Sequence, residues 1–319
     1  MPSYSGVWTL TAQYQARGAN NWPSPPAEAL FSIGEAASTV VNVINYVNIV
    51  TTGNATDYGD LSQARYNIAA CSSSSRGLFA GGVASDYSTR LNVIDYATIA
   101  STGSVTDFGD LTIARNALTG CSNATRGVFA GGSNGSSSLN VIDYVTIDTT
   151  GNATDFGDLA LATTNMGGCA STTRGIFGGG INSSTSNAIY YITIASTGNS
   201  TSFGDLTVAL TAGAACSSPT RGVFGGGENS SFANINVIQY ITIATTGNAT
   251  DFGDLSYAVR LLGAASSSSR GLFAGGSSSG LINTIEYITI STTGNSLDFG
   301  DLTVACAYVA GCSNAHGGL

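Results

Sequence analysis

Recurrent carboxylate pairs are the first residues whose spacing suggests chemistry. Asp57/Asp60, Asp107/Asp110, Asp155/Asp158, Asp251/Asp254 and Asp298/Asp301 each stand three apart, and one further copy reads Ser202/Asp205. Such a pair could hold Ca²⁺ or act as acid and base. Catalysis, however, needs one special site, and five or six equal pairs argue for a repeated structural contact. Eleven of the 15 Asp fall in this motif, and five of the ten Arg precede a recurrent Gly-x-Phe segment. The simplest account is an Arg–Asp contact in each copy, with one Asp also bonding turn amides. On that account Asp110→Ala lowers thermal stability without abolishing a specific activity. Repeated cation sites are the alternative.

Other reactive groups are scarce. All basic residues are Arg, with no Lys, and the one His is His316. A Walker P-loop and Schiff-base chemistry both need Lys. A Ser-His-Asp triad, a His-rich zinc site or a kinase motif set would all depend on His316. The residues therefore point away from an enzyme, from a cofactor and from a metal site. Five of the six Cys (Cys71, Cys121, Cys169, Cys216 and Cys312) share one slot of an internal repeat, and Ala265 fills that slot in the remaining copy. Equivalent positions in stacked sheets lie about 10 Å apart, whereas a disulfide needs Cα atoms within about 7 Å. These Cys are expected to be small buried residues. The Gly-Gly doublets follow a strand but precede no helix, so they do not make a dinucleotide fingerprint. They fit a strand end that needs φ > 0.

The chain has 319 residues, a net charge of −9 and only 9% charged residues, against roughly 25% in a typical globular protein. Nucleic-acid binding through the phosphate backbone needs clustered cations and is not expected. The opening Met-Pro-Ser-Tyr-Ser carries neither a basic nor an apolar leader segment, so no signal peptide is expected. No run of 18 apolar residues occurs, so no membrane insertion by a helix is expected either.

The elements that must position these residues come from a repeat. Asn-Val-Ile-x-Tyr-x-x-Ile recurs with little variation from Asn42, Asn92, Asn140, Asn187, Asn236 and Asn283. Phe-Gly-Asp-Leu (Tyr58 in the first copy) has its Gly at 59, 109, 157, 204, 253 and 300, and Arg-Gly-x-Phe-x-Gly-Gly starts at Arg76, Arg126, Arg174, Arg221 and Arg270. A fixed period in the high forties means a solenoid, a propeller or an array. Each period predicts four short strands. In one copy these are 114–121, 126–130, 140–147 and 154–159, the last two joined by a Thr-Thr-Gly-Asn turn. The third strand is apolar on both parities, as a sheet covered on both faces requires. The ends complement each other: the last copy stops after its first strand, and the first copy lacks that strand. Joined, they make one complete blade and remove the open edges of the sheet. The expectation is an all-β, six-bladed β-propeller over residues 28–319, closed by pairing the C-terminal strand with N-terminal strands, behind an N-terminal arm over residues 1–27.

The double Gly after a short hydrophobic strand, the Tyr-bearing strand and the aromatic-led fourth strand together resemble the kelch repeat, with Phe where kelch repeats usually carry Trp. The arm holds both Trp of the chain. Its run from Gly6 to Pro23, and the near-identical Ser/Thr/Gly-rich copies, resemble structural proteins of tailed bacteriophages, notably marine phages. That resemblance implies a virion location in the tail, tail fibre or neck. It also implies partners among other virion proteins, a homo-oligomeric state and a host-surface glycan or receptor as ligand. A capsid decoration protein and a cellular kelch-type interaction adaptor are the alternatives. Trp8, Tyr14 and Trp22 are the expected anchoring residues of the arm. The loops between the second and third strands vary while the strands do not, which points to a binding face. There Asp86, Tyr87, Arg90, Glu228 and Phe232 depart most from the repeat.

Overall fold

The computed structural model describes residues 26–319, and among these the chain is all-β. Six antiparallel sheets of four core strands each form a six-bladed β-propeller. Blade 1 combines Ala310–Ser313 as its innermost strand with Glu28–Ser32, Val43–Asn48 and Thr56–Asp60. The innermost strands of blades 2 to 6 are Ala69–Ser72, Thr119–Ser122, Gly167–Ala170, Ala214–Ser217 and Gly263–Ser266. These six strands touch one another in ring order around a central axis. Closure follows the complementarity of the chain ends. Ala29 pairs with Ser313, Leu30 with Cys312, Phe31 with Gly311 and Ser32 with Ala310. A second clasp adds Glu35–Ala36 to the long outer strand Leu297–Ala307 of blade 6.

Blade 3 shows how the repeat makes a blade. Its strands are Thr119–Ser122, Arg126–Ala130, Val141–Thr146 and Thr154–Asp158. The first starts five residues later than its composition suggests. Arg115 turns inward to a buried carboxylate, and Ala117 adopts a left-handed φ of 56°, so the continuous ladder with the second strand begins only at Thr119. The double-sided third strand does what its composition requires. Ile142 packs with Phe177 and Ile192 of blade 4, while Val145 and Ile147 pack with Leu78 and Phe108 of blade 2. Each core thus lies between neighbouring blades, and burying such a side chain contributes about 1.5–3 kcal/mol.

The blades approach closely where the repeat keeps its small residues. At Gly109, with φ 144°, a Cβ would lie 2.5 Å from the Gly151 carbonyl oxygen of the next blade's Thr-Thr-Gly-Asn turn. Asn152 in that turn accepts a hydrogen bond from the Asp110 N–H at 3.1 Å. The same Asn clip recurs at Asn54, Asn199, Asn248 and Asn295. The turn asparagines therefore join neighbouring blades, and Ser104 stands in the clip position of blade 2.

The propeller has two distinct ends. The variable loops and the residues ahead of each innermost strand meet at one end, as the Asn116–Ser133, Thr164–Ile181, Thr211–Glu228 and Arg260–Ser277 bridges show. The far ends of the innermost strands and the Thr-Gly-Asn turns lie at the other. There Asn314 bonds the Pro26 carbonyl and the Glu28 N–H. The described chain therefore begins on the end opposite the variable loops.

Candidate functional site at the channel mouth

The recurrent charged residues hold the ring together, in a way that corrects the expected Arg–Asp contact. Arg76, Arg126, Arg174, Arg221 and Arg270 do not pair with the Asp motif. Each guanidinium lies 4.5–4.7 Å over the Tyr ring of its own blade. Each also donates to a carbonyl of the next blade, at Ile147, Ile194, Ile243, Ile290 and Ile49 respectively. A cation over an aromatic face needs no carboxylate, and the latched carbonyl takes the remaining donor. The motif carboxylates lie on the exposed outer strands, with no hydrogen bond or ion pair to their side chains among the described residues. It is the Asp110 main chain, not its carboxylate, that meets the turn. The expected loss of stability in Asp110→Ala therefore has no structural basis. Among the described residues no three His, Cys, Asp or Glu side chains converge as metal ligands would.

Both links are altered at one junction. Between blades 1 and 2, Glu28 stands where the other blades have the latch Arg, and Ser104 stands in place of the clip Asn. Glu28 accepts a hydrogen bond from Tyr46 inside its own blade. Across the junction, Tyr58 replaces the usual Phe, and its hydroxyl donates to the Thr98 carbonyl at 2.7 Å. The departure of Tyr58 from the repeat thus restores one polar link where two are missing.

The buried ion pairs use other residues. Arg65 lies 2.9 Å from Asp95 and Arg115 lies 2.7 Å from Asp143, with all four side chains fully buried. Burial pulls the Arg65 guanidinium below its ordinary pKa, and the Asp95 carboxylate opposes that shift. Asp143 also accepts from the Thr112 N–H and hydroxyl, and Arg115 donates to the Phe129 carbonyl. In blade 5 the equivalent positions hold Leu210 and Gln239, and Gln239 still accepts from the Thr207 N–H and hydroxyl. In blade 6 the positions hold Val259 and Glu286, and Glu286 keeps its carboxylate without an Arg, accepting from the Ser256 N–H.

The thiols are buried and unbridged. Burial holds Cys121, Cys216, Cys306 and Cys312 up at about 12, so they stay protonated. Each repeat-slot Sγ faces the Gly of the Arg-Gly pair in the next blade. A Cβ on Gly127 would lie 2.8 Å from Cys71 Sγ, and the same distance separates Gly175 from Cys121. Where the Cys becomes Ala265, the facing Gly becomes Ala29. The slot is filled by size, as expected.

His316 serves the lower end of the channel. The chain after Ser313 folds across this opening, and Gly317 donates to the Ser217 carbonyl. His316 Nε2 lies 3.0 Å from the Ser72 carbonyl oxygen, while the Gly318 N–H donates to Nδ1 at 3.1 Å. A carbonyl only accepts, so Nε2 carries the proton and the ring is neutral. Burial lowers its pKa below 6.5. The unfolded chain therefore takes up a proton on acidification before the folded one does, and stability falls as pH drops below 6.5. Stability should therefore decline through this residue between pH 7.5 and pH 5.5. His316→Gln should flatten that part of the thermal-melt pH profile. An unchanged slope in the variant would contradict the assignment.

The remaining irregular residues meet at the upper mouth. Asn67, Ala117, Asn165, Ala212, Leu261 and Tyr308 occupy one repeat position, and all have a left-handed φ of 54–59°. For residues other than Gly this costs roughly 1–2 kcal/mol each. A necklace of main-chain bonds holds them there: Ala117 N to Asn67 O, Asn165 N to Ala117 O, Ala212 N to Asn165 O and Leu261 N to Ala212 O. All but Ala117 line a mouth cavity of about 240 Å³ that continues into a channel space of about 120 Å³. Ala70, Gly120, Gly168, Ala215, Ala264 and Gly311 wall the channel. Sequence reading missed this ring. Its signal is a column of side chains that vary between otherwise uniform neighbours.

The loop residues singled out from sequence fall into two groups across the ring, on blades 2 and 5. Asp86 accepts from the Ser88 and Thr89 N–H groups and the Thr89 hydroxyl, which holds its carboxyl below the usual range. It shapes its loop. Arg90 bonds the Ser88 carbonyl in the same loop. Tyr87, 51% exposed with φ 60°, packs against Tyr66, which in turn meets Tyr308 edge-on at 4.9 Å. Phe232, 83% exposed with φ 60°, crowns the blade 5 loop. Glu228 is only 7% exposed and pairs with Arg260, so it belongs to the cavity wall rather than to the loop tip. Trp8, Tyr14 and Trp22 lie outside the described residues. No protein-family model and no curated protein matches this chain.

Proposed function

We propose that the chain is a structural protein of a tailed-phage virion that presents its channel-mouth face for recognition of the host surface. The observation that carries this reading is the division of the molecule into two ends. The described chain begins at the lower end. The residues that break the repeat, including Tyr87 and Phe232, gather at the upper end with the cavity. A protein held by one end and offering the other has the geometry of an attachment device. Large aromatics on ordered loops suit recognition, because they bring contact area at a low entropy cost. The recurrent Arg, Cys and His316 all serve the ring, which supports binding rather than catalysis. The resemblance of the segment from Gly6 to Pro23 and of the near-identical copies to phage virion proteins supports the location. With the arm as anchor, neighbouring virion proteins are the partners at the lower end. Capsid decoration is the second reading, and the exposed aromatic loops favour host recognition over it.

The test has two parts. Purified particles should contain the chain at a copy number set by virion symmetry, in threes, fives, sixes or twelves. Its absence from particles would overturn the location. Fluorescently tagged chain should bind host cells, and the double variant Tyr87→Ala/Phe232→Ala should lose most of that binding while melting normally. Full retention by the double variant would overturn the choice of face.

A further inference from the structure

We infer that the mouth cavity is a site for one neutral sugar ring, the terminal unit of a surface glycan. This inference rests on the reading of the mouth as the recognition face. Its first support is an unmet group. Thr211 is 5% exposed, lines the cavity and has a hydroxyl without a hydrogen-bond partner. A buried hydroxyl left without a partner is costly, so a bound group that pairs with it gains what the empty cavity lacks. Two amides face the same space: Asn67 and Asn165 also line the cavity, and their side chains make no hydrogen bond among the described residues.

Charge sets the class of ligand. Glu228 and Arg260 are the charged residues of this wall, and they pair with each other through Glu228 Oε2 and Arg260 Nη1. The wall therefore offers no net charge to attract a phosphate, a sulfate or a cation. The pair leaves an acceptor, Glu228 Oε1, and a donor, Arg260 Nη2, without a hydrogen bond among the described residues. Two neighbouring hydroxyls, one donating and one accepting, satisfy such an edge together. The amides of Asn67 and Asn165 carry the same donor–acceptor character. The cavity wants many hydroxyls and little charge.

Size and shape narrow it further. At about 240 Å³ the cavity falls just below the roughly 300–1,000 Å³ of drug-sized pockets, so it suits a single ring rather than a peptide. Below it, the channel space of about 120 Å³ runs between walls of Gly and Ala, which leaves a second ring little room. The site therefore takes a chain end. Tyr308, which lines the cavity and is braced edge-on by Tyr66, supplies an aromatic surface for the carbon-bound hydrogens of the ring.

The experiment is saturation-transfer NMR on the whole chain with a panel of neutral methyl pyranosides, followed by titration of the best one. At least one glycoside should receive saturation. Thr211→Val, which keeps the side-chain shape, should weaken it roughly three- to tenfold. The double variant Asn67→Ala/Asn165→Ala should weaken it further, whereas Val50→Ala, an exposed side chain at the opposite end of the propeller, should leave it unchanged. Transfer to no glycoside would overturn the site, as would transfer that persists undiminished in Thr211→Val and in the double Asn variant. Cell binding that survives in Thr211→Val but fails in Tyr87→Ala/Phe232→Ala would keep the recognition face and overturn the sugar site. If each variant melts like the parent, a loss of glycoside binding reports on the cavity alone.

Discussion

Replacing Asp143 by Asn is expected to lower the stability of the propeller by about 3–5 kcal/mol, because it leaves the Arg115 guanidinium charged and buried without a counter-ion. The pair is fully buried at 2.7 Å, so water cannot take the place of the lost carboxylate. For a chain of this size 1 kcal/mol moves the melting temperature by roughly 2–4 °C, so the midpoint should fall by about ten degrees. The repeat also supplies the control. Blade 5 fills the same two positions with Leu210 and Gln239, and its Thr207 contacts persist. The double variant Arg115→Leu/Asp143→Gln should therefore recover to within about 1 kcal/mol of the parent, since a neutral, well-packed pair often equals a buried ion pair. Thermal melts of the three proteins decide it. A loss below about 1 kcal/mol in Asp143→Asn would mean that the charge is already shielded.

Gly127→Ala gives the second large effect. The new Cβ would meet Cys71 Sγ at 2.8 Å and Val145 Cγ2 at 3.3 Å. Overpacking of this kind costs about 1–3 kcal/mol. Cys71→Ala alone loses about 1 kcal/mol by opening a small void. Together they should not add. The freed thiol volume receives the new methyl, as Ala265 and Ala29 show at the blade 6–blade 1 junction. A double-mutant cycle should return a favourable coupling of about 1 kcal/mol or more. Strict additivity would mean that Gly127 is needed for its backbone and not for its size.

Much of this was legible beforehand because a repeat multiplies weak signals. One Arg-Gly-x-Phe segment carries little information, but five of them locate the second strand of five blades to the residue. Closure was legible from the missing strand at each end of the array, since an unpaired edge is costly and only one partner was available. The small size of the Cys slot was legible from Ala265. The role of the recurrent Arg was not. Opposite charges recurring in the same repeat suggested ion pairs, and no periodicity could show that Tyr144 rather than Asp110 lies under Arg126. The mouth escaped for a related reason. Its residues come from six different turns, 47 to 50 positions apart, and become neighbours only when the ring closes. Glu228 reads from the sequence as one more variable-loop residue, because its burial depends on Arg260, a residue of the next blade's approach.

By itself the sequence determined the number of blades, the order of strands, the closing strand and the reactive groups the chain does without. These follow from local patterning and from the arithmetic of the repeat, which hold whatever the distances turn out to be. Only the tertiary structure decided which side chains meet. It put the latch Arg over a Tyr and the single His across the lower opening. It also placed one unmet hydroxyl, two free amides and a self-neutralised ion pair around one cavity. Such contacts depend on distances of a few ångströms between residues far apart in the chain, and six blades bring them together only by closing on a common axis.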